Sequence, residues 1–241
     1  MIRGIPERGR VKESELMREN KCRDSAKDIS KRILRIYRVM GAYFGDLKWW
    51  PAKTGFEMII GAILTQNTAW SNVEKAVANL REKKLLDMDK IIRVNINSLA
   101  ESIRPAGYFR VKAERLKSIA RFLKKECNGD LERLKTREAG TLREELLSVN
   151  GVGPETADCI LVYAVHKPVF VVDVYAKRIF YRHGLISGED VSYGSVQSLV
   201  SGSFPADNRM LNQFHALLVE TGKNFCKKKE ALCGRCPLKG V

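Results

Sequence analysis

Residues 146–158 read LLSVNGVGPETAD, and the fold turns on how this stretch is read. Two glycines bracket a valine, and a proline and a glutamate follow. Just upstream, Thr141 and Glu144 match the Thr-x-x-Glu capping box, which predicts a helix starting there and running to about Val149. Gly151 can take the positive φ that ends a helix. Pro154 suits the first turn of the next one, where its missing N–H is no loss. The prediction is helix, five-residue turn, helix. Such a turn presents bare backbone N–H groups at a helix N-terminus, a seat for phosphate that needs no charged side chain. Taken alone, the pattern is equally that of an ordinary corner between two helices.

Outward from this turn the chain reads as all-α, in two helical lobes. From DISKRILRIYRVMGAYF onward, Ile29, Ile33, Ile36 and Met40 recur at helical spacing. Similar patterns cover 55–67, 71–81, 109–125, 154–165, 173–183 and 207–221, with Gly, Pro or Asn in the breaks. Only KPVFVVDV looks strand-like, and it is short. Residues 1–28 are charge-dense and poor in large apolar side chains, which predicts an extension outside the lobes. No repeat and no low-complexity tract is present.

The formal net charge is +15, from 43 Lys and Arg against 28 Asp and Glu. Polyanions are the implied partners, nucleic acid first and an anionic membrane surface second. No Lys/Arg-faced amphipathic helix favours the membrane, no apolar run reaches the roughly 18 residues of a span, and the N-terminus lacks the apolar core of a secretory signal. The expected location is the cytoplasm, on the nucleoid in a prokaryote. Of six cysteines, Cys226, Cys233 and Cys236 crowd the last stretch, which in a reducing compartment reads as metal binding before disulfides. Cys22 and Cys127 are scattered, and Cys159, in the run CILVYAV, reads as core.

Four features occur in order: GAILTQNTAW, the Gly-Val-Gly turn, Asp173 in VFVVDVYAKR eighteen residues after Glu155, and the tail GKNFCKKKEALCGRCPLKGV. Together they resemble the helix-hairpin-helix DNA glycosylases of the endonuclease III superfamily, over roughly residues 30–241. The resemblance implies a six-helix barrel lobe at 53–167 and a second lobe from 29–52 plus 168–241. It also implies a double-stranded DNA partner containing damaged bases, and a monomer. The hairpin would grip phosphate through the N–H groups of Gly151, Val152 and Gly153. Asp173 would be the catalytic acid: N-glycosidic cleavage builds positive charge on the sugar, and a carboxylate stabilises that state or activates the attacking water.

In the bifunctional members a lysine after the hairpin attacks the sugar to form a Schiff base, and a carboxylate cannot do so. Glu155 occupies that place here. Lys167 and Lys177 are near in sequence but do not match the motif. Glu155 itself reads as a first-turn acid favoured by the helix dipole. Trp49, Trp50 and Pro51, in KWWPAKTGFE, and Trp70, after LTQNT, resemble the endonuclease III-type 3-methyladenine glycosylases. By that comparison Trp49 and Trp70 stack on the extruded base while Trp50 and Pro51 shape the pocket. Tyr108 and Phe109 add aromatic surface nearby in sequence. The glutamate of the adenine glycosylases would fall at Ala62, which carries no carboxyl. Gln66 matches the wedge that fills the gap left by the flipped nucleotide, with Asn67 beside it. The tail spacing C-x6-C-x2-C matches three of the four thiolates of a 4Fe–4S cluster. The fourth would fall at position 242, one past Val241, and zinc is the rival reading. Lys227, Lys228 and Lys229 suit either phosphate contact or a solvated turn. The expected function is a monofunctional glycosylase for alkylated purines, chiefly 3-methyladenine. The alternatives are a bifunctional glycosylase/lyase for oxidised pyrimidines and a non-catalytic DNA-binding module.

Overall fold

A computed structural model of the chain describes residues 8–47, 49–50 and 52–241, with side chains from residue 26 onward. Among the described residues there are twelve α-helices and no sheet beyond an isolated bridge between Cys226 and Ala231. In chain order the helices are α1 (Arg8–Phe44), α2 (Gly55–Leu64), α3 (Trp70–Glu82), α4 (Met88–Arg93), α5 (Ile96–Ser102), α6 (Phe109–Cys127), α7 (Glu132–Lys135), α8 (Ala139–Leu147), α9 (Pro154–Cys159), α10 (Val174–Arg182), α11 (Tyr193–Ser201) and α12 (Asn208–Asn224). The predicted helices are all present, while α4, α5, α7 and α11 lie outside the segments whose periodicity stands out. The charged segment expected to lie outside the lobes is helical from Arg8 and runs unbroken into the part of α1 that packs on α12, so the 28/29 boundary falls inside one element.

Local chemistry fixes most helix starts. Thr54, Asp87, Asn95, Asp173, Ser192 and Asp207 each place a side-chain oxygen on a first-turn N–H, satisfying donors the helix cannot. The start of α8 differs from the expected capping box at Thr141. Glu138 is the cap, accepting from the N–H groups of Gly140 at 2.8 Å and Thr141 at 2.6 Å, because a carboxylate holds two donors where a hydroxyl holds one. After the hairpin, α9 widens into a π-helical turn, Ile160–Ala164, a feature frequent at functional sites.

Buried apolar side chains form two clusters. One is built from α2 to α9 and the π-turn, and the other from α1, α10, α11 and α12. The segment read as strand-like runs between them. Phe170 and Val172 belong to the second cluster, whereas Val169 and Val171 pack against the first. Its two-residue alternation is therefore genuine, with both faces covered by helices, yet among the described residues no strand pairs with it. Its backbone groups are satisfied by side chains instead: Val172 N–H donates to Tyr193 Oη at 3.2 Å, and the Phe170 carbonyl accepts from Gln197 Nε2 at 2.8 Å.

Those two α11 side chains meet a fully buried acid. Asp158 on α9 accepts from Tyr193 Oη at 2.7 Å and Gln197 Nε2 at 2.8 Å, and takes a two-pronged contact from Arg143 of α8 at 2.7 and 3.1 Å. One carboxylate thus ties the hairpin helices to the second lobe and to the segment that leads into Asp173. Removing one partner from a buried charge network strands the others, so Asp158→Ala should lower unfolding free energy by about 3–5 kcal/mol, read from the shift in urea midpoint. A loss near zero would mean the network is not a structural tie.

Candidate active site

The hairpin has the predicted helix-turn-helix form. Gly151 sits at φ +84°, and a Cβ there would lie 2.2 Å from Arg115 Cγ, so both the backbone and the neighbour demand glycine. Gly153 caps α9, and Pro154 opens it. Of the three N–H groups expected to face phosphate, that of Val152 is already used. It donates to the Val149 carbonyl at 3.0 Å while its side chain is buried in the barrel-side cluster, so the turn is closed by the central residue and the glycines carry the outward face. Gln66, the expected wedge, lies against the hairpin. Its amide donates to Gly151 O and Thr156 Oγ1, each at 2.9 Å, and its carbonyl accepts from Arg115. Asn67, next along, is exposed at the loop tip with φ +53°.

Asp173 caps α10 and is buried. Its Oδ1 accepts from Ala176 N–H at 2.7 Å, and its Oδ2 lies 3.5 Å from His215 Nε2 of α12. The other ring nitrogen of His215 bonds the Tyr163 hydroxyl, which the π-turn carries. Neither Tyr163 nor His215 stood out in the sequence. The tyrosine sits in an apolar run, and nothing local marks the histidine. Glu155 opens α9 on the same side. Its side chain reaches solvent, yet surrounding protein desolvates it and the Asp173 charge adds to the effect, pushing its pKa up to about 7, with His215 opposing. The two nearby lysines are committed elsewhere: Lys167 Nζ donates to the Lys135 carbonyl at 2.6 Å, and Lys177 Nζ to the Val191 carbonyl at 2.5 Å.

Trp50, rather than Trp49, meets Trp70. Their rings lie 5.4 Å apart in an edge-to-face arrangement, and Trp50 continues to Tyr163 at 5.1 Å. A cavity of about 270 Å³ opens here, walled by Trp50, Trp70, Glu57, Glu74, Gly61 and Arg81. Gly61 gives the indole room, since a Cβ would come within 3.3 Å of Trp50 Nε1. Glu74 holds Trp70 through its ring N–H at 2.9 Å, and buried Glu57 pairs with Arg81 at 2.7 Å. Trp49 turns toward Lys223, whose Nζ lies 5.0 Å from the ring centroid. Pro51 lies outside the described residues. A more open groove of about 470 Å³ beside α4, α5 and α6 contains none of these side chains.

In the cysteine tail, Cys226 is buried and its Sγ accepts from Arg182 at 3.3 Å, Cys233 is exposed, and Cys236 is half-buried. Burial raises the Cys236 thiol, as do the charges of Cys226 and Cys233. Among the described residues no three His, Cys, Asp or Glu side chains form a group that would hold a single metal ion, and a 4Fe–4S cluster on Cys226, Cys233 and Cys236 is an expectation that rests on the resemblance. The tail is anchored by arginines: Arg178 donates to Cys226 O at 2.7 Å and Arg182 to Lys227 O at 2.9 Å, leaving the side chains of Lys227, Lys228 and Lys229 exposed.

A family model described as HhH-GPD superfamily base excision DNA repair protein matches residues 60–200. A protein of Methanocaldococcus jannaschii, whose name proposes a DNA repair glycosylase, is 45% identical over 224 residues, 92% of this chain and 97% of its own. Among solved structures, the H. pylori 3-methyladenine DNA glycosylase bound to 1,N6-ethenoadenine is similar at a TM-score of 0.69 and 28% identity, over 81% of this chain and 97% of that one. A trapped endonuclease III–DNA covalent intermediate is similar at a TM-score of 0.74 and 25% identity, over 87% and 93%. Among the described residues no helix is long and apolar enough to cross a membrane.

The raised Glu155 has a measurable consequence. The folded protein keeps a proton that the unfolded chain releases from about pH 4.5, so stability falls as pH rises from there to about 7 and is level above. Glu155→Gln should match the wild-type melting temperature near pH 4.5 and exceed it at pH 8. A difference that does not change with pH would show the glutamate to be unperturbed.

Proposed function

This chain is a DNA repair glycosylase of the HhH-GPD superfamily, and within that family we propose that it is monofunctional, hydrolysing the N-glycosidic bond of alkylated purines, chiefly 3-methyladenine. The observation that carries this reading is the acid at 155. The position from which a lysine would form a Schiff base holds a carboxylate, and the nearest lysines in sequence are bonded to backbone carbonyls. The pocket supports the substrate class. A 3-methyladenine nucleoside is cationic, and two tryptophan rings with the Glu74 carboxylate around one cavity suit a cation, Glu57 there being paired with Arg81. Such a base also leaves readily, because it departs neutral.

In this mechanism the glycines of the hairpin and the exposed lysines hold phosphate. Gln66 exchanges its bonds to Gly151 and Thr156 for bonds to the base left unpaired, with Asn67 entering beside it. At about 1 kcal/mol net per hydrogen bond the exchange costs little, and it links base extrusion to the grip of the hairpin. The C1′–N9 bond then breaks with its electron pair passing to the purine, which cancels the positive charge of the base. Asp173 faces the developing oxocarbenium ion and takes a proton from the water that adds to C1′. An abasic site remains in an unbroken strand. The cysteine tail takes no part in these steps. A 4Fe–4S cluster there is implied by the resemblance alone, with Cys226, Cys233 and Cys236 as the thiolates that would hold it.

Methylated duplex DNA provides the test. Free 3-methyladenine should appear, with strand breaks only after alkali, and Asp173→Asn should slow release at least about 100-fold. Nicking without alkali would favour the endonuclease III-like reading and oxidised pyrimidines. Glu155→Lys should restore an amine where the bifunctional enzymes carry one, giving a protein–DNA adduct trapped by borohydride that the wild type does not form. Trapping of the wild type would overturn the monofunctional assignment.

A further inference from the structure

We propose that His215 is the positioning residue for Asp173, its Nε2–H holding one carboxylate oxygen while Tyr163 locks the imidazole in the tautomer that can do so. This rests on Asp173 being the acid of the reaction.

His215 is 4% exposed and its Nε2 is a buried ring nitrogen without a hydrogen-bond partner, 3.5 Å from Asp173 Oδ2. A buried polar atom left in that state carries a desolvation cost, and here it is aimed at an acid. The tautomer follows from the other side of the ring, where Nδ1 and the Tyr163 hydroxyl share one proton-mediated contact. If Nδ1 carried the proton and donated, the phenolic hydrogen would have no acceptor and the Nε2 lone pair would face the carboxylate lone pairs. If the phenol donates, Nδ1 accepts and the ring proton sits on Nε2, pointing at Asp173. Only the second arrangement satisfies both groups. Burial raises Tyr163 well above the usual phenol range, so the hydroxyl keeps the proton it must donate.

The consequence for Asp173 is geometric. A carboxylate held only by its helix cap can still swing about its side-chain bonds. Here Oδ1 is fixed by Ala176 N–H, and Oδ2 is faced by the imidazole, from a different helix of the same lobe. Closing the remaining gap to a full hydrogen bond needs a shift of a few tenths of an ångström. The outward lone pairs would then be presented to C1′ in a single orientation, which is the requirement for a charge-stabilising group whose effect depends on placement.

Three variants and one spectrum test this on the full chain. His215→Leu should slow single-turnover release of methylated base about 10- to 100-fold, the effect typical of losing a partner that orients a reactive group, with duplex affinity changed less than about threefold. His215→Gln, whose amide N–H reaches the same place, should recover most of the rate. Tyr163→Phe should fall between, since it frees the tautomer without removing the donor. In the wild type, ¹⁵N NMR of the His215 ring should show the proton on Nε2. A proton on Nδ1, a His215→Leu rate within twofold of wild type, or a His215→Gln variant as slow as His215→Leu would each overturn the proposal. If His215→Leu does not fold, the glutamine variant and the spectrum decide. A wild type that releases no methylated base would refute the function proposed above, while the tautomer would still be read independently.

Discussion

The joint between the hairpin helices and the segment that carries Asp173 depends on one buried charge. Asp158 sits at zero exposure on the helix that follows the hairpin, and it is acceptable there only because Arg143, Tyr193 and Gln197 supply donors to both of its oxygens. A pair of this kind is weak evidence for stability, since desolvation offsets much of the attraction. Its value lies in geometry. Tyr193 and Gln197 each have a second bond, to Val172 N–H and Phe170 O, so the acid fixes the extended segment as well as α8 and α11. That segment ends at Asp173. Asp158 therefore helps register the hairpin, Glu155 and Asp173 against one another, although Glu155 and Asp173 sit on helices in different lobes, and the Tyr163–His215 contact crosses between the same lobes.

The hairpin and Asp173 were legible in the sequence because their chemistry is local. A glycine with positive φ, a proline at a helix start and an aspartate at an N-cap each follow from backbone rules that need no tertiary context. The strand-like reading of KPVFVVDV was half right for a physical reason. Two-residue alternation reports that a chain is extended between two surfaces, and here its edge groups are taken by Tyr193 and Gln197, so the pattern is present without a strand partner. What was illegible depends on side chains reaching across the fold. Nothing in the local sequence says that Trp50 rather than Trp49 meets Trp70, that Val152 spends its N–H inside the turn, or that His215 faces Asp173 from α12. Position 155 was legible as a missing amine, but its raised pKa needs the neighbouring acid to be in place.

The molecule separates two electrostatic tasks that would conflict at one point. Gripping a polyanion calls for positive charge, and the chain carries a net +15. In the reaction proposed, a cationic sugar and a cationic base call for negative charge; the centre holds Asp173, with Glu155 half-protonated beside it near pH 7, while Glu74 lines the cavity together with the Glu57–Arg81 pair. A lysine in the cleft would serve the first task and oppose the second. In the proposed reading, backbone N–H groups at the hairpin resolve this, since they would bind phosphate through a dipole that adds no net charge next to the acids.

The same economy explains a buried ammonium far from any carboxylate. Lys112, 1% exposed, gives its three protons to Leu64 O, Thr68 Oγ1 and Ala106 O at 2.6–2.8 Å. Two of those acceptors are the last carbonyls of α2 and of the short 3-10 turn Arg104–Ala106, where helix termini are partly negative and lack partners of their own. Desolvation pushes its pKa down to about 8, with Arg115 nearby adding to the effect, so the charge is retained at neutral pH through these bonds rather than through an ion pair. Because Thr68 is held, the loop carrying Gln66 and Asn67 is pinned at its far end, and Gln66 pins its near end to the hairpin. A loop fixed at both ends can present a wedge to the duplex at small entropic cost. In the proposed mechanism it also carries any displacement of the hairpin directly to the residue that enters the gap left by the base.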